Sequence, residues 1–147
     1  MSQPYFDTGL VLKLLVDEPL SEVFQGWLEL RSVPVPYTRL VELEVENTLQ
    51  AKCFRKEIDA RQIRRCQKLI RELLAEGRFF RPELSMEEVL LESLEVMPKV
   101  TARTGCRTLD LLHVVSAITL GYDEFVTADK RQAEAARLLE LKVSELQ

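Results

Sequence analysis

The sequence predicts an α/β domain with a short, mainly parallel sheet. Short runs of strand character at 4–6, 33–35, 79–80, 124–127 and 141–143 are separated by longer stretches of helical periodicity. Parallel neighbours need crossover connections, and helices usually supply them. At 147 residues, 46% hydrophobic and 30% charged, with five Gly and six Pro, the chain has the size and composition of one ordinary globular domain. A single domain over 1–147 is therefore expected, without repeats or low-complexity tracts.

The elements follow in order. Pro4 to Phe6 is a short aromatic strand that ends at Asp7, after which Leu10, Leu14 and Leu15 recur at helical spacing. Pro19 and Ser21 open a second helix to about Leu30, with Val23, Phe24, Trp27 and Leu28 on one side, and Val33 to Val35 is a second strand. Thr38 to about Phe54 is one helix. Asp59 to about Ala75 is another, with Asp59 as N-cap and Gly77 as its stop. Phe79 and Phe80 form a short strand. Ser85-Met-Glu-Glu88 is a capping-box start for a helix expected to end near Met97, before Pro98. Thr108 to Leu120 is a strongly apolar helix, Glu124 to Thr127 a strand, Asp129 to Leu139 a helix and Leu141 to Val143 a last strand.

Composition removes several chemistries. Cys53, Cys66 and Cys106 are odd in number and widely spaced, which suits packing and a reducing compartment better than zinc or disulfides. His113 is the only histidine, so sites needing two imidazoles are excluded, and a core role is expected for it. The N-terminus lacks the pattern of a secretory signal and no apolar run reaches about 18 residues, so a cytoplasmic protein without membrane association is expected. The net charge of -4 argues against bulk coating of nucleic acid. Yet ten Lys or Arg stand against four Asp or Glu between Lys52 and Arg81, which reads either as a solvated helix face or as a phosphate-contacting surface.

Catalysis must then rest on carboxylates, and four stand out. On the 38–54 helix, Glu44 lies between Leu40 and Thr48 on one flank and Val41 and Asn47 on the other, whereas Glu42 and Glu46 fall on the opposite side as ordinary solvated residues. A carboxylate pressed into that face needs an Arg, strong donors or a metal. Asp110 is the one formal charge of the apolar 108–120 helix, and its first-turn position also allows a purely structural role. Asp129-Lys-Arg-Gln132 fits a capping box, so Asp129 is either a structural cap or part of a site, and Asp7 could likewise cap the helix after it. Ligands of open parallel sheets bind at the carboxyl ends of strands, where Asp7 and Asp129 both lie. Gathered together, four acids repel one another unless a hard, oxygen-loving cation such as Mg²⁺ or Mn²⁺ is present.

The same residues resemble the PIN-domain family, especially the toxin nucleases of VapBC toxin-antitoxin pairs, from Tyr5 to about Val143. Four blocks match in order: Tyr-Phe-Asp7, Glu44-Val-Glu-Asn-Thr-Leu49, Arg107-Thr-Leu-Asp110 and Phe125-Val-Thr127-Ala-Asp129. The second block selects Glu44 over Glu42 and Glu46. At Gly9 the chain departs from the family, which commonly has Ser or Thr there. The resemblance implies a three-layer α/β/α domain and a Mg²⁺- or Mn²⁺-dependent endoribonuclease in which Asp7, Glu44, Asp110 and Asp129 hold the metal. It further implies an RNA substrate, a cognate antitoxin and a homodimer. Thr127 is expected to support the acids, and Arg107 to contact substrate. The competing readings are a PIN-like module that binds RNA or protein without turnover, favoured by Gly9, and an aspartic protease, suggested by Asp7-Thr8-Gly9. Few aspartic proteases are as helical as this chain.

Overall fold

A computed structural model describes residues 2–147. Among them are seven α-helices and five short strands, and every strand pairing is parallel. The chain divides into two compact units, one formed by residues 2–7 with Pro82–Gln147 and the other by Thr8–Arg81.

The first unit holds a three-stranded sheet in the order β1 (Pro4–Phe6), β4 (Glu124–Thr127), β5 (Lys142–Glu145). The register sets Tyr5 beside Phe125 and Phe6 beside Val126. β1 and β4 are buried along their whole length, as expected of parallel strands covered by helices. The Tyr5 and Phe125 rings stack, and the Tyr5 hydroxyl meets Nδ1 of buried His113 at 2.7 Å, which gives the lone histidine the core role read from the sequence. α5 (Met86–Thr104), α6 (Thr108–Thr119) and α7 (Lys130–Leu138) complete this unit, and α7 packs with buried Ala133, Ala135 and Ala136.

Pro98 does not end α5, contrary to expectation; it lies inside the helix. Proline removes the donor that would bond the carbonyl four residues earlier. That residue, Leu94, is exposed, as is Pro98, so the carbonyl lies on the wet side. Two residues on, Val100 is fully buried and holds the helix against the core. The helix ends instead at Gly105, whose φ of 65° is the left-handed C-cap geometry that favours glycine.

The second unit contains α1 (Thr8–Lys13), α2 (Ser21–Arg31), β2 (Val35–Pro36), α3 (Arg39–Phe54), α4 (Ala60–Ala75) and β3 (Phe79–Phe80). β2 lies slightly later than 33–35 because Val35 and Tyr37 donate to Arg78 and Phe80 carbonyls, at 2.8 and 2.7 Å, while Pro36, which has no N–H, falls between them. Thr38 caps α3 by accepting from the Val41 N–H, and Asp59 caps α4 in a complete capping box with Gln62. Cys53, Cys66 and Cys106 are all free thiols, and burial raises the pKa of Cys66, leaving it protonated. No helix among the described residues is long and apolar enough to cross a membrane.

Candidate active site

Asp7 follows directly on β1 because its backbone continues the ladder, its N–H donating to the Val126 carbonyl at 3.0 Å. Its side chain is buried. One carboxylate oxygen, Oδ2, accepts from the hydroxyl of Thr127 and from the Ala128 N–H, the latter at 3.3 Å. Thr127 ends β4 and is itself fully buried, so the two neighbouring strands deliver an acid and the donor that orients it to the same end of the sheet.

Thr127 also links to Asp129 and Asp110 of this unit. Its Oγ1 accepts from the Asp129 N–H at 2.9 Å and lies 3.2 Å from Oε1 of Gln132. The Gln132 amide nitrogen in turn donates to the backbone carbonyl of Asp110 at 3.4 Å. A chain of close polar contacts thus runs from the Asp7 carboxylate through Thr127 and Gln132 to the first turn of α6, with the single Thr127 hydroxyl proton given to Asp7 and Asp129 attached at Thr127. This path fixes the backbone of Asp110 and Asp129 relative to the side chain of Asp7.

Asp129 is the N-cap of α7, accepting from the Arg131 and Gln132 N–H groups at 2.8 and 3.2 Å. The structural role anticipated for it is therefore real, though half of the anticipated capping box is not formed, because the Gln132 side chain turns inward to Thr127 and Asp110. Asp110 is half-buried in the first turn of α6, where the helix dipole favours an anion, and its Oδ2 lies 3.7 Å from Nε of Arg107. Arg107 is 84% exposed, so this pair is weak and the guanidinium can reach other anions.

Glu44 belongs to the other unit, on α3, and is half-buried beside the inward residues Leu40, Val41, Val45 and Leu49. Its two acidic neighbours correct the sequence reading. Neither Glu42 nor Glu46 is simply solvated: both are half-buried, Glu42 bonded by Arg39 at 2.7 Å and Arg81 at 2.6 Å, and Glu46 by Gln67 at 3.0 Å. Burial would raise the pKa of Glu42, but the hydrogen bonds from Arg81 and Arg39 outweigh it and hold the carboxyl low. Burial, reinforced by the charges of Glu42 and Glu46, pushes the nearby Tyr37 phenol well above its ordinary value. Glu42 and Glu46 are thus committed to partners seen in the structure.

The PIN-domain family model matches residues 5–138. This chain belongs to the PIN-domain family. PIN domains are generally nucleases, so the family is one of hydrolases acting on nucleic acid. The fold has a solved counterpart in VapBC2 from Rickettsia felis bound to a DNA fragment from their promoter, with a TM-score of 0.68, 16% sequence identity and 97% of each chain covered. No curated protein matches the chain.

The oxygen-only donor set of this PIN domain suits Mg²⁺ or Mn²⁺, since the one histidine is engaged in the core and the cysteines are dispersed. Among the described residues no three His, Cys, Asp or Glu side chains form one close group. Sequence reasoning missed Gln132 as part of this site. Its signal was present, a buried polar side chain after a strand-end Asp, but was absorbed by the capping-box motif.

Proposed function

We propose that this PIN domain is a Mg²⁺- or Mn²⁺-dependent endoribonuclease of the VapC type, working as one domain over residues 1–147. The observation that supports it best is the path linking Asp7, Thr127, Gln132 and the Asp110 backbone. Asp7, Glu44, Asp110 and Asp129 are the proposed acids. When bound, the metal supplies a water of lowered pKa and neutralises charge on the scissile phosphodiester. The chain's own residues prepare for it. Thr127 and the Ala128 N–H orient one oxygen of Asp7, and Gln132 fixes the turn that presents Asp110. Arg107, exposed beside Asp110, is placed to pair with a phosphate through its guanidinium.

The family match, together with a structural relative solved as a VapBC pair, supports a toxin role with a cognate antitoxin; a cytoplasmic location and a homodimer belong to the same proposal. The second reading is a PIN module without turnover, favoured by Gly9, which offers no hydroxyl two residues after Asp7.

The test is cleavage of a labelled RNA with Mn²⁺, comparing the wild-type chain, Asp7→Asn and the wild type in EDTA. Wild type should cleave, with activity lost at least about a hundredfold in the other two arms. Equal cleavage in all three rules out the metal mechanism, and no cleavage in any favours the inert module.

A further inference from the structure

The outer face of α4 has no structural explanation within the chain. Arg61, Arg64, Arg65, Lys68 and Arg71 are all exposed and fall within one arc of the helix, opposite buried Ile63, Cys66, Ile70 and Leu73. They neighbour one another at helical contact spacing: Arg61 with Arg64 and Arg65, Lys68 with Arg64, Arg65 and Arg71. Like charges at these spacings destabilise a helix. Arg61 stands in the first turn of α4, where the helix dipole disfavours a cation, and the acid at that end is the Asp59 N-cap. Relief is slight: Lys68 meets Glu72 at 4.0 Å, and among the described residues Arg61, Arg64, Arg65 and Arg71 have no ion-pair partner. A face kept merely for solubility needs no such repulsion, least of all in a chain of net charge -4.

We infer that this face of α4 binds the phosphodiester backbone of the nucleic acid that the protein acts on. From Arg61 to Arg71 the helix rises about 15 Å, the axial length of about four nucleotides. Most of the cations are arginines, whose planar forks match phosphate oxygens. Contacts of this kind position a strand without reading its sequence. The inference names the substrate-holding surface of the ribonuclease proposed above and rests on that reading.

The test uses the full chain in EDTA, so that nothing is cut, and follows the anisotropy of a fluorescein-labelled single-stranded RNA of about 20 nucleotides over a range of salt concentrations. The variant is the triple substitution Arg64→Gln, Arg65→Gln, Arg71→Gln. The slope of log affinity against log salt should fall by about 2, and affinity at ~0.1 M salt should weaken by roughly 30- to 100-fold. A DNA of the same sequence should show the same change in slope, because the backbone is what is held. The variant should melt at the same or a higher temperature, since repulsion has been removed. In cleavage with Mn²⁺, KM should rise while kcat holds.

An unchanged salt slope overturns the inference, and so does a slope change confined to one polymer. Altered sedimentation with an unchanged slope assigns the face to a second copy of the chain and likewise overturns it. A lower melting temperature shows the face to be structural and counts against it. If the triple variant binds like wild type while Asp7→Asn abolishes cutting, the inference fails and the nuclease stands. If the slope falls as expected while Asp7→Asn cuts like wild type, the metal mechanism fails and the binding face stands.

Discussion

Two helices of this protein begin with the same four-residue pattern and use it differently. Asp59-Ala-Arg-Gln62 opens α4, and Asp129-Lys-Arg-Gln132 opens α7. In both, the aspartate accepts from the glutamine N–H and caps the helix. At α4 the glutamine side chain closes the box, accepting from the Asp59 N–H at 2.9 Å, and remains exposed. At α7 the Asp129 N–H is taken by Thr127 instead, and Gln132 is buried between Thr127 and the Asp110 carbonyl. The first cap is complete in itself. The second has been opened so that its glutamine ties the end of β4 to the start of α6, where two of the proposed catalytic acids lie.

The largest effect that sharpens this contrast is expected at Thr127. Thr127→Val keeps the shape but removes the donor to Asp7 and the acceptor for the Asp129 N–H, so cleavage should fall about 10- to 100-fold and the concentration of Mn²⁺ for half-maximal rate should rise. Stability should drop by about 1–3 kcal/mol in chemical denaturation, because buried groups are left without partners. Unchanged Mn²⁺ dependence would reduce Thr127 to a core residue. Gln132→Ala should act in the same direction but less, up to about tenfold in rate, because it positions Asp110 only through the backbone. Gln62→Ala, the same substitution at the other cap, should leave cleavage unchanged and cost about 0.5–1 kcal/mol. If the two glutamines behave alike, the distinction between a closed cap and one opened toward the site is wrong.

What the sequence revealed and what it hid divide along the same line. Thr38, Asp59 and Asp129 were legible as helix starts because capping is settled within four residues. The strands β1 and β4 were legible because an apolar run ending in Asp or Thr announces both strand and boundary. Pro98 was misread because the continuation of α5 depends on Val100 finding the core, a tertiary fact that local propensity does not contain. Gln132 was misread for the same reason: its competing partner, the Asp110 carbonyl, is 22 residues away. Glu42 and Glu46 looked solvated because Arg81 and Gln67 are remote in sequence. Thr127 was expected beside the acids, whereas the inward turn of Gln132 appears only once the chain has folded.

The most direct test of the central claim is calorimetric titration of Mn²⁺ into the wild-type chain and into Asp7→Asn, without RNA. The account predicts saturable binding by wild type and binding at least about tenfold weaker in the variant, with both chains folded by circular dichroism. Identical isotherms for the two chains, or no binding by wild type, would contradict it.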